Sequence, residues 1–219
     1  MPTITPITID IVSDVVCPWC IIGYRELERA VGMLGDRVEV GVRWHPFQLA
    51  PGLPPEGQAS RDYLRERYGA SPEQSRGNRA RLMERGAALG IDFRFGEDSR
   101  IYNTLKAHQL LYWAGAAGGQ TPLKLALFDA YFTREENIAD SEILLASVAR
   151  VGLDVEEARA VLAEDRYADA VRTEVEYWQD QNVTGVPAFV VNGKYMIPGA
   201  QDAEIFARVL ERVLLKEAA

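Results

Sequence analysis

Cys17 and Cys20 are the only two cysteines in 219 residues, and they stand three apart in "DVVCPWCIIG", Asp14 to Gly23. A cysteine pair at that spacing has three uses: a structural staple, a metal clip or a redox centre. A staple across two intervening residues closes a very short loop, restricts the unfolded chain little and stabilises little. A zinc site needs about four ligands; there is no third cysteine, and His45 and His108 are the only histidines. The flanking sequence favours the redox reading. Ile4 to Val12, with Ile7, Ile9 and Ile11 alternating, predicts a buried strand. After the pair, Tyr24, Leu27, Val31 and Leu34 recur at helical spacing. The cysteines are thus expected at a strand-to-helix junction, with Cys17 at the helix N-terminus, where free N–H groups and the helix dipole stabilise a thiolate. Pro18 fits the first turn because its missing N–H costs nothing there. Positions i and i+3 share a helix face, so Cys20 can reach Cys17. Cys17 is the candidate nucleophile, expected to be exposed, and Cys20, one turn deeper, the candidate resolving thiol.

Composition narrows the remaining function classes. Hydrophobic residues make up 47% of the chain and charged residues 26%, which fits a globular protein, and 219 residues suit one large domain or a domain with a large insertion. A formal net charge of -8 argues against nucleic acid or an anionic membrane as the main partner. No run approaches the roughly 18 apolar residues of a membrane span. The start, "MPTITPITIDIV", has neither a basic n-region nor a cleavage site, so the expected compartment is the cytoplasm, where a purely structural disulfide does not persist.

Further along, "VEVGVRWHPFQL", Val38 to Leu49, alternates and predicts a second strand. A strand–helix–strand unit places its strands side by side and parallel, which brings His45, Phe47 and Gln48 to the sheet edge that carries the cysteines. "APGLPPEG", Ala50 to Gly57, is a Pro/Gly-rich boundary loop. Helical patterns follow over Ser60–Tyr68, Pro72–Leu89, Asn103–Gly115, Thr121–Arg134, Ser141–Val151, Val155–Ala163 and Tyr167–Gln181, with Asp140 and Asp154 as N-caps. Strand signals return at Ala188–Val191 and Lys194–Ile197 around an Asn192–Gly193 turn. A last helix is expected over Asp202–Lys216, with Ile205, Phe206, Val209, Leu210 and Val213 on one face. Without the helical block, the order resembles a thioredoxin-like βαβ…ββα core. Proteins of that kind place a cis-proline before the third core strand, against the cysteine pair. Pro187 in "TGVP" is the candidate; on the residues alone, a trans proline opening a strand is the alternative.

"DVVCPWCIIG", "WHPFQL", "NTLKAHQLL" and "GVPAFVVNGKYMIPGAQ", in that order, resemble the FrnE-type, DsbA-like thiol oxidoreductases, relatives of kappa-class glutathione transferases and 2-hydroxychromene-2-carboxylate isomerases. The resemblance runs over nearly the whole chain. It implies an α/β thioredoxin-like fold with a large inserted α-helical domain: residues 1–57 and 183–219 form the thioredoxin-like domain and 58–182 the insertion. It implies a cis bond at Pro187, with the Val186 backbone offered to an extended substrate or to glutathione. The transferases and isomerases typically carry serine at the first motif position. Here both cysteines are present, which favours dithiol–disulfide exchange with protein or small-molecule thiols and disulfides. Without further cysteines a second, shuttling disulfide is excluded. The expectation is no metal and no bound cofactor, with glutathione a candidate thiol co-substrate; the sequence sets no oligomeric state. The runner-up function is a glutathione-dependent isomerase or transferase acting on a small aromatic compound.

The other candidates each carry a plainer reading. Trp19, between the cysteines, shapes access to Cys17 or packs in the core. Strongly oxidising DsbA-type enzymes usually have His there; Trp carries no charge, so a less extreme activation of Cys17 is expected. Asn103 reads as an N-cap, His108 as a structural or site residue, and Asp14 as a turn residue or an influence on protons near Cys20.

Overall fold

The computed structural model describes residues 5–96 and 98–217; Ile4, the first residue of the predicted opening strand, lies outside them. Strand β1 (Thr5–Ser13), helix α1 (Pro18–Leu34) and strand β2 (Val38–Pro46) open the chain. A mainly helical stretch follows: β3 (Gln58–Ala59), α2 (Ser60–Tyr68), α3 (Pro72–Ala88), β4 (Arg100–Ile101), α4 (Leu105–Ala116), α5 (Gln120–Phe132), α6 (Ser141–Arg150), α7 (Val155–Ala163) and α8 (Ala168–Asp180). Strands β5 (Ala188–Val191) and β6 (Tyr195–Pro198) and helix α9 (Ala203–Glu217) close the fold. The main sheet has the order β2-β1-β5-β6, with β1 parallel to β2 and antiparallel to β5, and β5 antiparallel to β6. This is the thioredoxin-like α/β fold with a helical insertion. No helix among the described residues is long and apolar enough to cross a membrane.

Alternation along β1 sends Ile7, Ile9 and Ile11 to one face of the sheet. They pack there with Ile22 and Leu27 of α1, Phe189 of β5, and Phe206, Leu210 and Val213 of α9. Helix α1 comes closest to β5 at Gly23, where a Cβ would stand 2.9 Å from the Phe189 ring and 3.3 Å from the Ala200 Cα. Val12 faces the other way and joins Phe47, Trp178, Val183, Ala188 and Val190. Helix α8 therefore belongs to the insertion by position in the chain and to the sheet by packing. A separate apolar core joins α4, α5, α6 and α7 through Leu110, Leu123, Leu127, Leu144, Val148 and Val161. Val15 and Val16, just before Cys17, are buried in that core. The helical block thus holds the loop that delivers the cysteines.

Strand β2 is an edge strand, and an edge leaves backbone groups without partners. Gln120, at the start of α5, supplies them. Its side-chain amide accepts from the Trp44 N–H at 2.9 Å and donates to the Trp44 carbonyl at 2.9 Å, as a neighbouring strand would. Thr121 accepts from the Trp44 indole N–H at 2.9 Å.

The predicted elements recur within a few residues of their expected ends, with three differences. Strand β2 stops at Pro46 rather than Leu49: the Phe47 N–H makes the last ladder bond, to the Ser13 carbonyl, and the Leu49 N–H goes to the Asp14 carboxylate. Helix α4 starts at Leu105, and Asn103 caps it from two residues upstream by accepting from the Leu105 N–H at 2.9 Å. The small antiparallel pair of β3 and β4 was not expected, since strands of two residues carry no periodicity. Gln120→Leu should leave both backbone groups of Trp44 unpaired and lower stability by about 1–3 kcal/mol. Urea denaturation should show a lower midpoint at an unchanged slope.

Candidate active site

The site lies where β1 ends. Antiparallel pairing sets Val12 opposite Ala188, so the two residues before β5, Val186 and Pro187, meet the loop after β1. Cys17 is the N-cap of α1 (φ −93°, ψ 110°) and makes no capping bond through its side chain, while Pro18 takes the first helical position. The loop is held by the Cys17 N–H donating to the Asp14 carbonyl at 3.2 Å and the Cys20 N–H to the Cys17 carbonyl at 3.1 Å. Both cysteines are thiols. The Cys17 thiol donates to the Val186 carbonyl at 3.6 Å, and the Val186–Pro187 peptide bond is cis. Residues 169 apart in the chain therefore meet at the sulfur.

Exposure separates the two thiols from the residue between them. Cys17 is 4% exposed, Cys20 is fully buried, and Trp19 is 43% exposed. The core-packing alternative for Trp19 does not hold, since its side chain is exposed. Burial, and then the neighbouring Cys17, pushes the Cys20 thiol well above its ordinary range, with Lys124 pulling it back. Cys17 caps the N-terminus of α1, but it is buried like Cys20 rather than exposed as the sequence predicts, because the Val186–Pro187 segment closes over it.

A buried polar group lies beneath the thiols. Asp14 is fully buried; one carboxylate oxygen accepts from the Leu49 N–H at 2.8 Å and the other meets His108 Nε2 at 3.2 Å. Burial lowers the His108 pKa despite the pull of Asp14, which favours a neutral imidazole. The third member, Lys124 of α5, escaped the sequence reading. It is fully buried, and its Nζ has no hydrogen-bond partner. The ammonium lies 5.3 Å from the Trp44 ring centroid and 5.0 Å from that of Phe128. Burial lowers its pKa to about 8, while Cys20, Asp14 and Cys17 pull the other way. The signal for it was present: Lys124 is the single charged residue between Gln120 and Phe128, in "QTPLKLALF".

The parallel-strand argument places the end of β2 beside the end of β1, with Ser13 paired to Pro46. The side chains there divide. His45 has both ring nitrogens engaged by carboxylates, Nε2 with Asp10 at 2.8 Å and Nδ1 with Glu174, and its ring lies 4.9 Å from that of Trp178. Burial opposes its charge, but the two carboxylates prevail and raise its pKa. Arg43 completes the cluster with two hydrogen bonds to Asp10, at 2.7 and 3.0 Å. Phe47 packs in the apolar group that also supports Val186. Gln48 reaches Asn103 at 3.4 Å, and Asn103 also donates to the Pro51 carbonyl at 2.7 Å. Among the described residues no group of three or more His, Cys, Asp or Glu side chains is arranged to hold a metal ion.

The model of the DsbA-like thioredoxin domain matches residues 8–211, nearly the whole chain. The chain belongs to the DsbA-like thioredoxin family. A probable DsbA oxidoreductase, SCO1869 of Streptomyces coelicolor, is 35% identical, with a TM-score of 0.86 over 94% of this chain and 89% of that one. YwbO of Bacillus subtilis, an uncharacterized protein, is 27% identical over 92% of this chain and 94% of its own. The cytosolic disulfide reductase DsbM of Pseudomonas aeruginosa, solved with GSH, shares the fold with a TM-score of 0.64 at 17% identity, over 94% of this chain and 98% of that one. This DsbA-like protein is thus a thioredoxin-fold oxidoreductase.

Lys124 binds its proton less tightly in the folded chain, at about 8, than in the unfolded one, near 10.5. The unfolded state holds the extra proton between those values, so the destabilisation is fully present below pH 8 and fades as pH rises towards 10.5. Lys124→Met removes it. At about 1.4 kcal/mol per pH unit, the variant should gain on the order of 3 kcal/mol at pH 7. Denaturation at several pH values should show that gain shrinking between pH 8 and 10.5.

Proposed function

We propose that this DsbA-like protein exchanges a Cys17–Cys20 dithiol with disulfides. The contact of the Cys17 thiol with the Val186 carbonyl, beside the cis-Pro187 bond and with Cys20 one helical turn behind, carries the reading. The Cys17 thiolate attacks a substrate disulfide, a mixed disulfide forms, and one substrate sulfur leaves with the electron pair. Cys20 then attacks the Cys17 sulfur, and the second substrate sulfur departs as the Cys17–Cys20 disulfide closes. Run backwards, the same steps donate a disulfide. Val186 changes partners in this cycle: once Cys17 has lost its proton, the Val186 backbone is free to pair with an extended substrate, while Pro18 and Trp19 form the opposite wall. His45, Phe47 and Gln48 act on substrate only through the loops they brace.

Retention of both cysteines favours exchange over a glutathione transferase or isomerase. Glutathione suits the site as a thiol co-substrate, and the cytosolic, GSH-bound DsbM supports both that choice and a cytoplasmic setting. The helical segment 58–182 has the role of bracing the cysteine loop through Val15 and Val16.

Reduced protein mixed with a disulfide-linked peptide should close its own disulfide and release the peptide thiol. Cys17→Ser should abolish the reaction. Cys20→Ser should halt at a mixed disulfide on Cys17, seen by mass spectrometry as one added peptide half. Full exchange by Cys17→Ser would overturn the reading, and conjugation of glutathione to an aromatic electrophile without exchange would favour the transferase.

A further inference from the structure

Lys124 is an unpartnered buried ammonium of the inserted segment, set against Trp44 and Phe128, which share one apolar core with both cysteines. The two rings beside the ammonium, Trp44 and Phe128, are apolar partners that would accommodate a methionine. A buried charge without a hydrogen bond costs stability, and buried ionisable groups of this kind cluster at functional sites. The groups that face it narrow its role. Cys20 and Cys17 come from α1 and its N-cap, Asp14 from the preceding loop, and His108 from α4. Asp14 is already committed to the Leu49 N–H and to His108. Tyr131 of α5 donates to the Arg100 carbonyl and stays neutral. Lys124, with His108, also lines a cavity of about 500 Å³ at the β2 edge, which Arg43, His45 and Glu174 line as well. His45 and Arg43 there are paired to Asp10 and Glu174. The thiols are the neighbours of Lys124 whose charge changes during exchange.

We infer that Lys124 is the electrostatic partner of the resolving step, holding the positive charge that lets the buried Cys20 ionise and attack the Cys17 mixed disulfide. This rests on the exchange reading above. In that step the Cys20–Cys17 bond forms and the bond between Cys17 and the substrate sulfur breaks. The electron pair leaves on the substrate sulfur, and the proton lost by Cys20 ends there, so the substrate departs as a thiol with no other reactant consumed. Burial first, and then Cys17, set Cys20 against ionisation. A fixed positive charge in a medium of low dielectric offsets this far more than one in water would. Lys124 is a positioning residue in this sense: it acts through Cys20 and makes no bond to substrate.

Lys124→Met tests this with a variant expected to fold at least as well as the parent. Reduced protein is mixed with excess glutathione disulfide, quenched with acid at intervals, and the glutathionylated, disulfide and dithiol forms are counted by mass spectrometry. The parent should pass through little glutathionylated intermediate. In Lys124→Met that intermediate should accumulate, with resolution slowed about tenfold or more and its pH–rate profile moved to higher pH. The difference should narrow above pH 8, where the parent lysine begins to lose its own charge. The first step, measured in a Cys20→Ser background, should change much less. Resolution at the parent rate with an unmoved pH profile overturns the inference, as does an equal slowing of both steps. Absence of any glutathionylated or disulfide form in the parent sinks the exchange reading itself, and this inference with it.

Discussion

The antiparallel pairing of β1 with β5 sets the geometry on which the site depends. It joins two segments from opposite ends of the chain, and its register, Val12 against Ala188, decides what stands over the cysteines. A slip of one residue would turn every side chain of β5 to the wrong face. Phe189 and Val191 would leave the α1–α9 core, and the Val186 carbonyl would leave the Cys17 sulfur. The apolar core of the sheet and the contact at the thiol are thus one constraint. Gly23 fits the same junction, because a side chain there would crowd the Phe189 ring and the Ala200 backbone.

Around that junction the fold handles polarity in two contrasting ways. On the α8 face, charge is paired to excess: Asp10 meets Arg43 and His45, and His45 meets Glu174 as well. Such a cluster orients β2 and leaves no group idle. Beneath the thiols the pattern differs. Asp14 and His108 are paired, but Lys124 is left without a hydrogen bond. The insertion therefore does more than cover the β2 edge through Gln120. It fixes the cysteine loop by taking up Val15 and Val16, and it sets the Lys124 ammonium against Trp44 and Phe128, in the core that holds both cysteines. Stability given up at one buried lysine is the usual signature of a site arranged for reaction rather than for packing.

Much of this was legible in the residues. The Ile7, Ile9 and Ile11 alternation, the helical spacing after Cys20 and the Asn192–Gly193 turn predicted strands and helices close to those observed, because each element buries a face that its own periodicity announces. The N-terminal position of Cys17 followed from the same pattern, and the cis bond at Pro187 from the family resemblance. His45 shows what pattern reading misses. Parallel pairing predicts which end of the sheet a residue reaches, and Asp10 on the neighbouring β1 is one partner, but the others, Glu174 and Trp178, come from α8, over a hundred residues on. Asn103 reads both ways at once, as helix cap and as tie to the loop after β2. Gln120 and Lys124 each act through a single side chain brought against β2 by tertiary packing, and neither leaves a periodic trace.

The most direct test is the redox equilibrium of the two thiols. The protein is equilibrated in buffers of varied reduced-to-oxidised glutathione ratio, quenched with acid and analysed by mass spectrometry after alkylation. A Cys17–Cys20 disulfide facing the Val186 carbonyl predicts one reversible two-electron transition between alkylated dithiol and an unlabelled intramolecular disulfide. A chain that stops at a glutathione adduct on Cys17, or remains a dithiol at every ratio, would contradict it.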